Sequence, residues 1–161
     1  MSTQEAQAAR QQYAMQQGWL AGGVAILFFA VIYMVDKVLF LNPVLWWAST
    51  VIYFFFMYRA VQPAEDLTFR DNIRDPFLTF VLANGLFYLF YYLMLSFIDP
   101  VLQDIQWEML QESGQLPDGA TQEKAAPSFM GILLQYARSL IFGFGFAAAV
   151  TWIKRRQANL S

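Results

Sequence analysis

The stretch WLAGGVAILFFAVIYM, residues 19–34, decides the fold class. It lies inside a longer run, Gln11 to Val35, that carries no charged side chain. Three more runs of this kind follow: Val38 to Tyr58, Pro76 to Ile98, and Ala125 to Ile153, the last interrupted only by Arg138. About 20 apolar residues suffice for a helix to cross roughly 30 Å of hydrocarbon. Each run reaches that length. Buried helices of a water-soluble protein would keep a polar face, and most of these runs have none. The reading is an all-α polytopic membrane protein with four transmembrane helices.

Composition agrees. The chain of 161 residues is 58% hydrophobic and 14% charged, against about a quarter charged in ordinary soluble domains. So few charged groups cannot cover a small domain's surface in water. The length suits one domain. There are no cysteines and no histidines, which removes disulfides, thiolate nucleophiles and the usual haem, zinc and iron–sulfur ligands. No cofactor is expected. A net charge of −2 offers no basic surface to nucleic acid.

Local signals set the boundaries. The spans are expected at about 19–40, 43–61, 76–98 and 127–153, after a cytoplasmic segment 1–17 and before a tail 157–161. Asn42-Pro43 reads as an N-cap followed by proline at the first helical position. Pro63 follows the second span, Pro76 marks the start or a kink of the third, and Pro127 opens the fourth. The first span has no basic n-region or cleavage signature, so it is not read as a removable signal peptide. Arg10, Arg59, Arg70, Arg74 and Lys154–Arg156 fall on one side of a four-span arrangement, Lys37 and Lys124 on the other. By the positive-inside rule both termini are cytoplasmic. The extracytoplasmic segment 99–126 contains a short amphipathic helix at 100–113. Asp99 caps it, Gly114 stops it, Val101, Leu102, Ile105 and Met109 share a face, and Trp107 is a possible partner anchor. Pro117-Asp118-Gly119 then forms a turn.

Several of these features come together in one family. Tyr58-Arg59 closes the second span, and Leu67-Thr68-Phe69 precedes the third. Phe97-Ile98-Asp99-Pro100 leads into an acidic loop helix, and a small-residue span ends in Lys154-Arg155-Arg156. Over roughly residues 20–156 the pattern resembles the bacterial domain of unknown function 4199 family. It departs at Arg70-Asp71-Asn72, where the family more often has small or apolar residues. The resemblance implies a small four-span protein of the bacterial inner membrane and assigns no activity.

Polar and small residues inside the spans supply the candidate sites. Arg138 and Asp36 fall at similar heights, just inside the outer interface, where an unpaired charge is costly. Arg138 is expected either to snorkel outward or to form an intramembrane ion pair with Asp36 that ties the first span to the last. The sharper alternative is an ion or anionic-substrate site built from Asp36, Lys37, Gln135 and Arg138. Asn84 is expected to hydrogen-bond across helices. Gly22 and Ala25 on the first span, and Gly143, Gly145, Ala147 and Ala149 on the fourth, are small residues suited to close packing. They predict that the first and fourth spans touch, or that one of them dimerises. The many aromatic side chains of the second and third spans read mainly as a lipid-facing coat; a quinone or lipid groove is the alternative.

No nucleophile–base pair, metal cluster or glycine-rich phosphate loop stands out. The expected function is therefore non-catalytic, acting through helix–helix or partner contacts. The protein either self-associates or serves as an accessory subunit of a membrane complex. Its partners would be membrane lipid and a second copy or another membrane protein. The alternative is a small oligomeric transporter or channel.

Overall fold

A computed structural model describes residues 3–62, 68–114 and 128–158. Pro63, the Pro117–Gly119 turn and Pro127 lie outside the described residues. Among those described, every regular element is helical: α1 (Thr3–Val35), α2 (Lys37–Phe40), α3 (Pro43–Ala60), α4 (Phe69–Leu93), α5 (Val101–Glu112) and α6 (Phe129–Ala158). A π-helical turn, Met94–Ile98, continues α4.

The caps account for the breaks. Asp36 begins α2 by accepting from the Val38 amide at 2.8 Å. Asn42 begins α3 by accepting from the Val44 amide at 2.8 Å, with Pro43 at the first turn. Both devices satisfy amides that have no partner inside the helix. Gly114, at φ 66°, closes α5 in the left-handed conformation that glycine adopts without strain.

Three boundaries differ from expectation. The run expected to continue to residue 40 is broken, because α1 stops at Val35 and Asp36 restarts the chain as α2. The first span is the end of a helix that starts at Thr3, so the Gln-rich segment is helical from there. The third span begins at Phe69, not Pro76. Thr68 and Asp71 form a reciprocal capping box there, and Pro76 lies buried inside the helix. Proline has no amide to donate to the carbonyl four residues earlier. That carbonyl, on Asn72, instead accepts from the Thr151 hydroxyl of α6 at 3.3 Å.

α4 is the centre of the bundle. It packs against α1, α3 and α6, while α1 and α6 make little contact with each other. The small residues of α1 face α4, which corrects the expectation that they meet the last span. A Cβ on Gly18 would come 2.8 Å from Leu82 Cβ, and one on Gly22 2.7 Å from Leu86 Cδ1. Ala14, Ala21 and Ala25 are fully buried along the same stripe. Side chains this small let the two backbones approach and gain dispersion contacts.

The core divides into two levels. One holds Ala21, Ala25, Tyr53, Met57, Phe80, Ala83, Ala147 and Val150. The other is largely aromatic and holds Phe29, Phe40, Phe87 and Tyr91 with Met94, Leu95, Leu102 and Ile132. Trp46 inserts edge-on against Tyr91 at 4.6 Å between centroids, a favoured geometry for ring quadrupoles.

The outside is apolar too. Leu27, Val31 and Met34 on α1, Val44, Trp47 and Val51 on α3, and Ile141, Phe142 and Phe144 on α6 are all exposed. Soluble monomers rarely present so continuous an apolar surface. Three helices, Gln4–Val35, Phe69–Ile98 and Phe129–Ala158, are long and apolar enough to cross a membrane. α3 is not among them. Its 18 residues rise about 27 Å, and Trp46, Trp47, Tyr53, Tyr58 and Arg59 dilute its hydropathy.

Candidate functional site

Polar clusters fasten the bundle at both ends. At the end where α1 and α4 begin, a terminal nitrogen of Arg10 donates to Asp75 Oδ2 at 2.9 Å and Asn72 Oδ1 at 3.1 Å. The Thr79 hydroxyl donates to the Ala14 carbonyl at 3.0 Å. Tyr58 donates to Gln157 at 2.6 Å, joining α3 to α6 at this same end. Lys154 lies over the Tyr58 ring.

At the opposite end Asp99 receives Lys37 and the Tyr33 hydroxyl, the latter at 2.8 Å. The Lys37 ammonium first, and Tyr33 second, hold the Asp99 carboxyl below the usual carboxylate range. The Val101 amide at the start of α5 also lowers it, in keeping with the reading of Asp99 as a capping side chain, although its main partners are Lys37 and Tyr33. Pro100 occupies the cap position and provides no side-chain bond. The depressed carboxyl contributes stability above the ordinary aspartate pKa of about 3.9 and loses it as pH falls through the lower folded value. Wild-type protein should therefore be more heat-stable than Asp99→Asn at pH 7, and the two should converge only in strong acid. Thermal unfolding in detergent from pH 7 to pH 2 measures this. A difference that persists unchanged at the acid end would refute the assignment. The effect is modest, because Lys37 is 44% exposed and solvent screens the pair.

Asp36 and Arg138 do not form the expected pair. The Asp36 carboxylate caps α2 and is exposed. Among the described residues the salt bridges are Arg10–Asp75 and Lys37–Asp99. Lys37 thus also leaves the four-residue site imagined with Gln135 and Arg138.

Arg138 lies elsewhere, on the wall of a cleft of about 480 Å³ between α3 and α6, with α4 as its floor. Trp46, Trp47, Thr50 and Tyr53 line the α3 side. Gln135, Arg138, Ser139, Phe142 and Phe146 line the α6 side. Asn84, Phe87, Tyr88 and Tyr91 form much of the floor, and Gln106 of α5 reaches one end. The helices close together toward the Tyr58–Gln157 end, where Phe54 meets Phe146 at 4.9 Å. Small-molecule sites commonly occupy about 300–1,000 Å³ and combine an apolar lining with a few polar groups. This cleft has that character. Tyr53 is buried in it, and its hydroxyl finds no hydrogen-bond partner among the described residues.

The packing residues separate into two groups. Gly22, Ala25, Gly143 and Ala147 are buried between helices, and Asn84 donates to the Ser139 hydroxyl of α6 at 2.6 Å. Gly145 and Ala149 are exposed, and a Cβ on Gly145 would meet nothing within 4 Å. Trp107 is half-buried on α5. Among the described residues no group of three acidic side chains gathers to hold a metal ion.

An all-helical bundle with membrane-type helices, an apolar exterior and a lateral cleft defines the class. Within that class, the family model described as Protein of unknown function (DUF4199) matches residues 16–156, and the chain belongs to this family. Neither the curated proteins nor the solved structures include a match.

Proposed function

We propose that the chain is a non-catalytic four-span protein of the bacterial inner membrane that works by holding a membrane-resident partner in the α3–α6 cleft. The cleft carries the reading. It lies between two helices, with exposed Trp47 and Phe142 on its two walls, and is closed over at one end where Phe54 meets Phe146. That closure favours a seat for a partner over a path through the monomer.

α3 serves as the fourth span in this reading. It runs from the aromatic level, where Trp46 meets Phe87, to the end where Tyr58 meets Gln157. It thus covers much of the thickness its neighbours cover, and its aromatic side chains suit the membrane interfaces. The end that gathers Arg10, Arg74 and Lys154 is the cytoplasmic one by the positive-inside rule. Both termini are then cytoplasmic. Gly145 and Ala149, uncovered on α6, are available to a second membrane helix or a second copy.

Photo-crosslinking tests the cleft. A photoreactive residue replaces Phe142 at the cleft or Leu27 on the exposed face of α1. Each protein is extracted in mild detergent, washed, and then irradiated. Position 142 should yield an adduct with a retained molecule, and position 27 only detergent adducts. Identical detergent adducts at both positions would remove the basis for the reading.

A further inference from the structure

We infer that the occupant of the cleft is an anionic glycerophospholipid of the outer leaflet, its phosphate held by Arg138 and its chains lying along the aromatic wall. The inference rests on the proposed holding function and names the chemistry of what is held.

Charge supplies the first argument. Arg138 lies roughly 24 Å along α6 from Lys154, counted at 1.5 Å per residue. That places it just inside the far boundary of a bilayer whose hydrocarbon is about 30 Å thick. A guanidinium there needs an anion or a route to water. Asp36 and Asp99 are already engaged, Asp36 in capping α2 and Asp99 in holding Lys37 and Tyr33, and among the described residues neither salt bridge involves Arg138. A lipid phosphate supplies the missing charge and matches the guanidinium fork in geometry. Gln135 and Gln106, which also line the cleft, add amide donors for phosphate or headgroup oxygens.

The second argument is independent. Tyr53 is 5% exposed, and its hydroxyl has no partner among the described residues. A buried hydroxyl is ordinarily satisfied. Tyr53 packs on Phe80, which Gly143 also faces, so its level is five residues, roughly 7 Å, deeper than Arg138. Ester carbonyls lie just beneath the phosphate of a glycerophospholipid, and the Tyr53 hydroxyl, enclosed in this structure, would donate to one after a small turn of its ring toward the cleft. Phe142 and Phe146 continue the apolar wall below.

The walls argue against a protein helix as occupant. Tight helix–helix contact in membranes uses small residues, whereas Trp46, Tyr53, Phe142 and Phe146 are bulky.

The test is native mass spectrometry of the full chain in mild detergent. It is titrated with phosphatidylglycerol, with phosphatidylethanolamine of the same chains, with a long-chain quinone, and with soluble glycerol phosphate. Wild type should retain one phosphatidylglycerol with about a tenfold preference over phosphatidylethanolamine, equivalent to about 1.4 kcal/mol. Arg138→Gln should abolish the preference, Arg138→Lys should restore part of it, and Tyr53→Phe should weaken retention of both phospholipids. Glycerol phosphate should not bind, because the chains supply the apolar contact. Equal retention of the two phospholipids, preferential retention of the quinone, binding of glycerol phosphate alone, or a preference unchanged in Arg138→Gln each overturns the inference. An adduct at position 142 that proves to be a protein overturns it while leaving the cleft a holding site. Absence of any adduct there overturns both. Arg138 is exposed, so its variants should fold; circular dichroism checks this.

Discussion

Gly143→Leu should destabilise the bundle by about 1–3 kcal/mol, the range for overpacking a filled core. Gly145→Leu, two residues away, should change it by no more than about 0.5 kcal/mol, as surface changes usually do. A Cβ on Gly143 would overlap the Phe80 ring, whereas one on Gly145 meets open space. Phe80 cannot move aside cheaply. It is buried, and it packs edge-on against Tyr53 at 5.6 Å and near Phe146 at 6.4 Å. Reversible unfolding in mixed detergent micelles measures both variants. Equal losses would mean that the α4–α6 contact is wrongly described.

The second large effect belongs to the Arg10 cluster. Arg10→Met should cost about 2–4 kcal/mol, because it leaves Asp75 almost buried and without its counter-charge. The side chains are 18% and 9% exposed, so the loss falls toward the lower part of the range for breaking a buried pair. Arg10 Nε, buried without a partner among the described residues, reduces the loss slightly when removed. Combining Arg10→Met with Asp75→Leu should cost clearly less than the sum of the single changes, since neither charge is then stranded. Arg10→Lys should recover only part, because an ammonium lacks the planar fork. Strict additivity in the double variant would show that the two residues do not interact.

These two sites show what the sequence could and could not reveal. Asn42-Pro43 and Gly114 announced their roles, because caps and left-handed residues are local events with local signals. Thr68 and Asp71 carried a cap signal as well, three residues apart, but Pro76 drew the boundary to itself. The polar Asn72 and Asp75 before it are the trace of a helix extending beyond the apolar run. Pairing across helices was harder to read. Height along a helix can be counted, so Asp36 and Arg138 looked matched. Rotation about the axis cannot be counted when apolar and aromatic residues surround the helix on every side. Gly143 and Gly145 therefore looked equivalent, and the cleft was visible only as an abundance of aromatic residues and as the grouping of Gln135 with Arg138. The same ambiguity put the small patch of α1 against the last span, when its partner is α4.

The central place of α4 has a consequence for biogenesis. A ribosome delivers α1 and α3 first, and α1 does not yet have the helix against which most of its inward face is shaped. The glycine and alanine stripe of α1 waits for Leu82 and Leu86. Once α4 arrives, the Asn72 carbonyl waits in turn for Thr151, near the end of the last helix. Translation thus adds the organising helix after α1 and α3, and the partner of its Asn72 carbonyl only near the end. An interrupted chain ending before α4 would expose an unmatched surface that quality-control proteases could recognise.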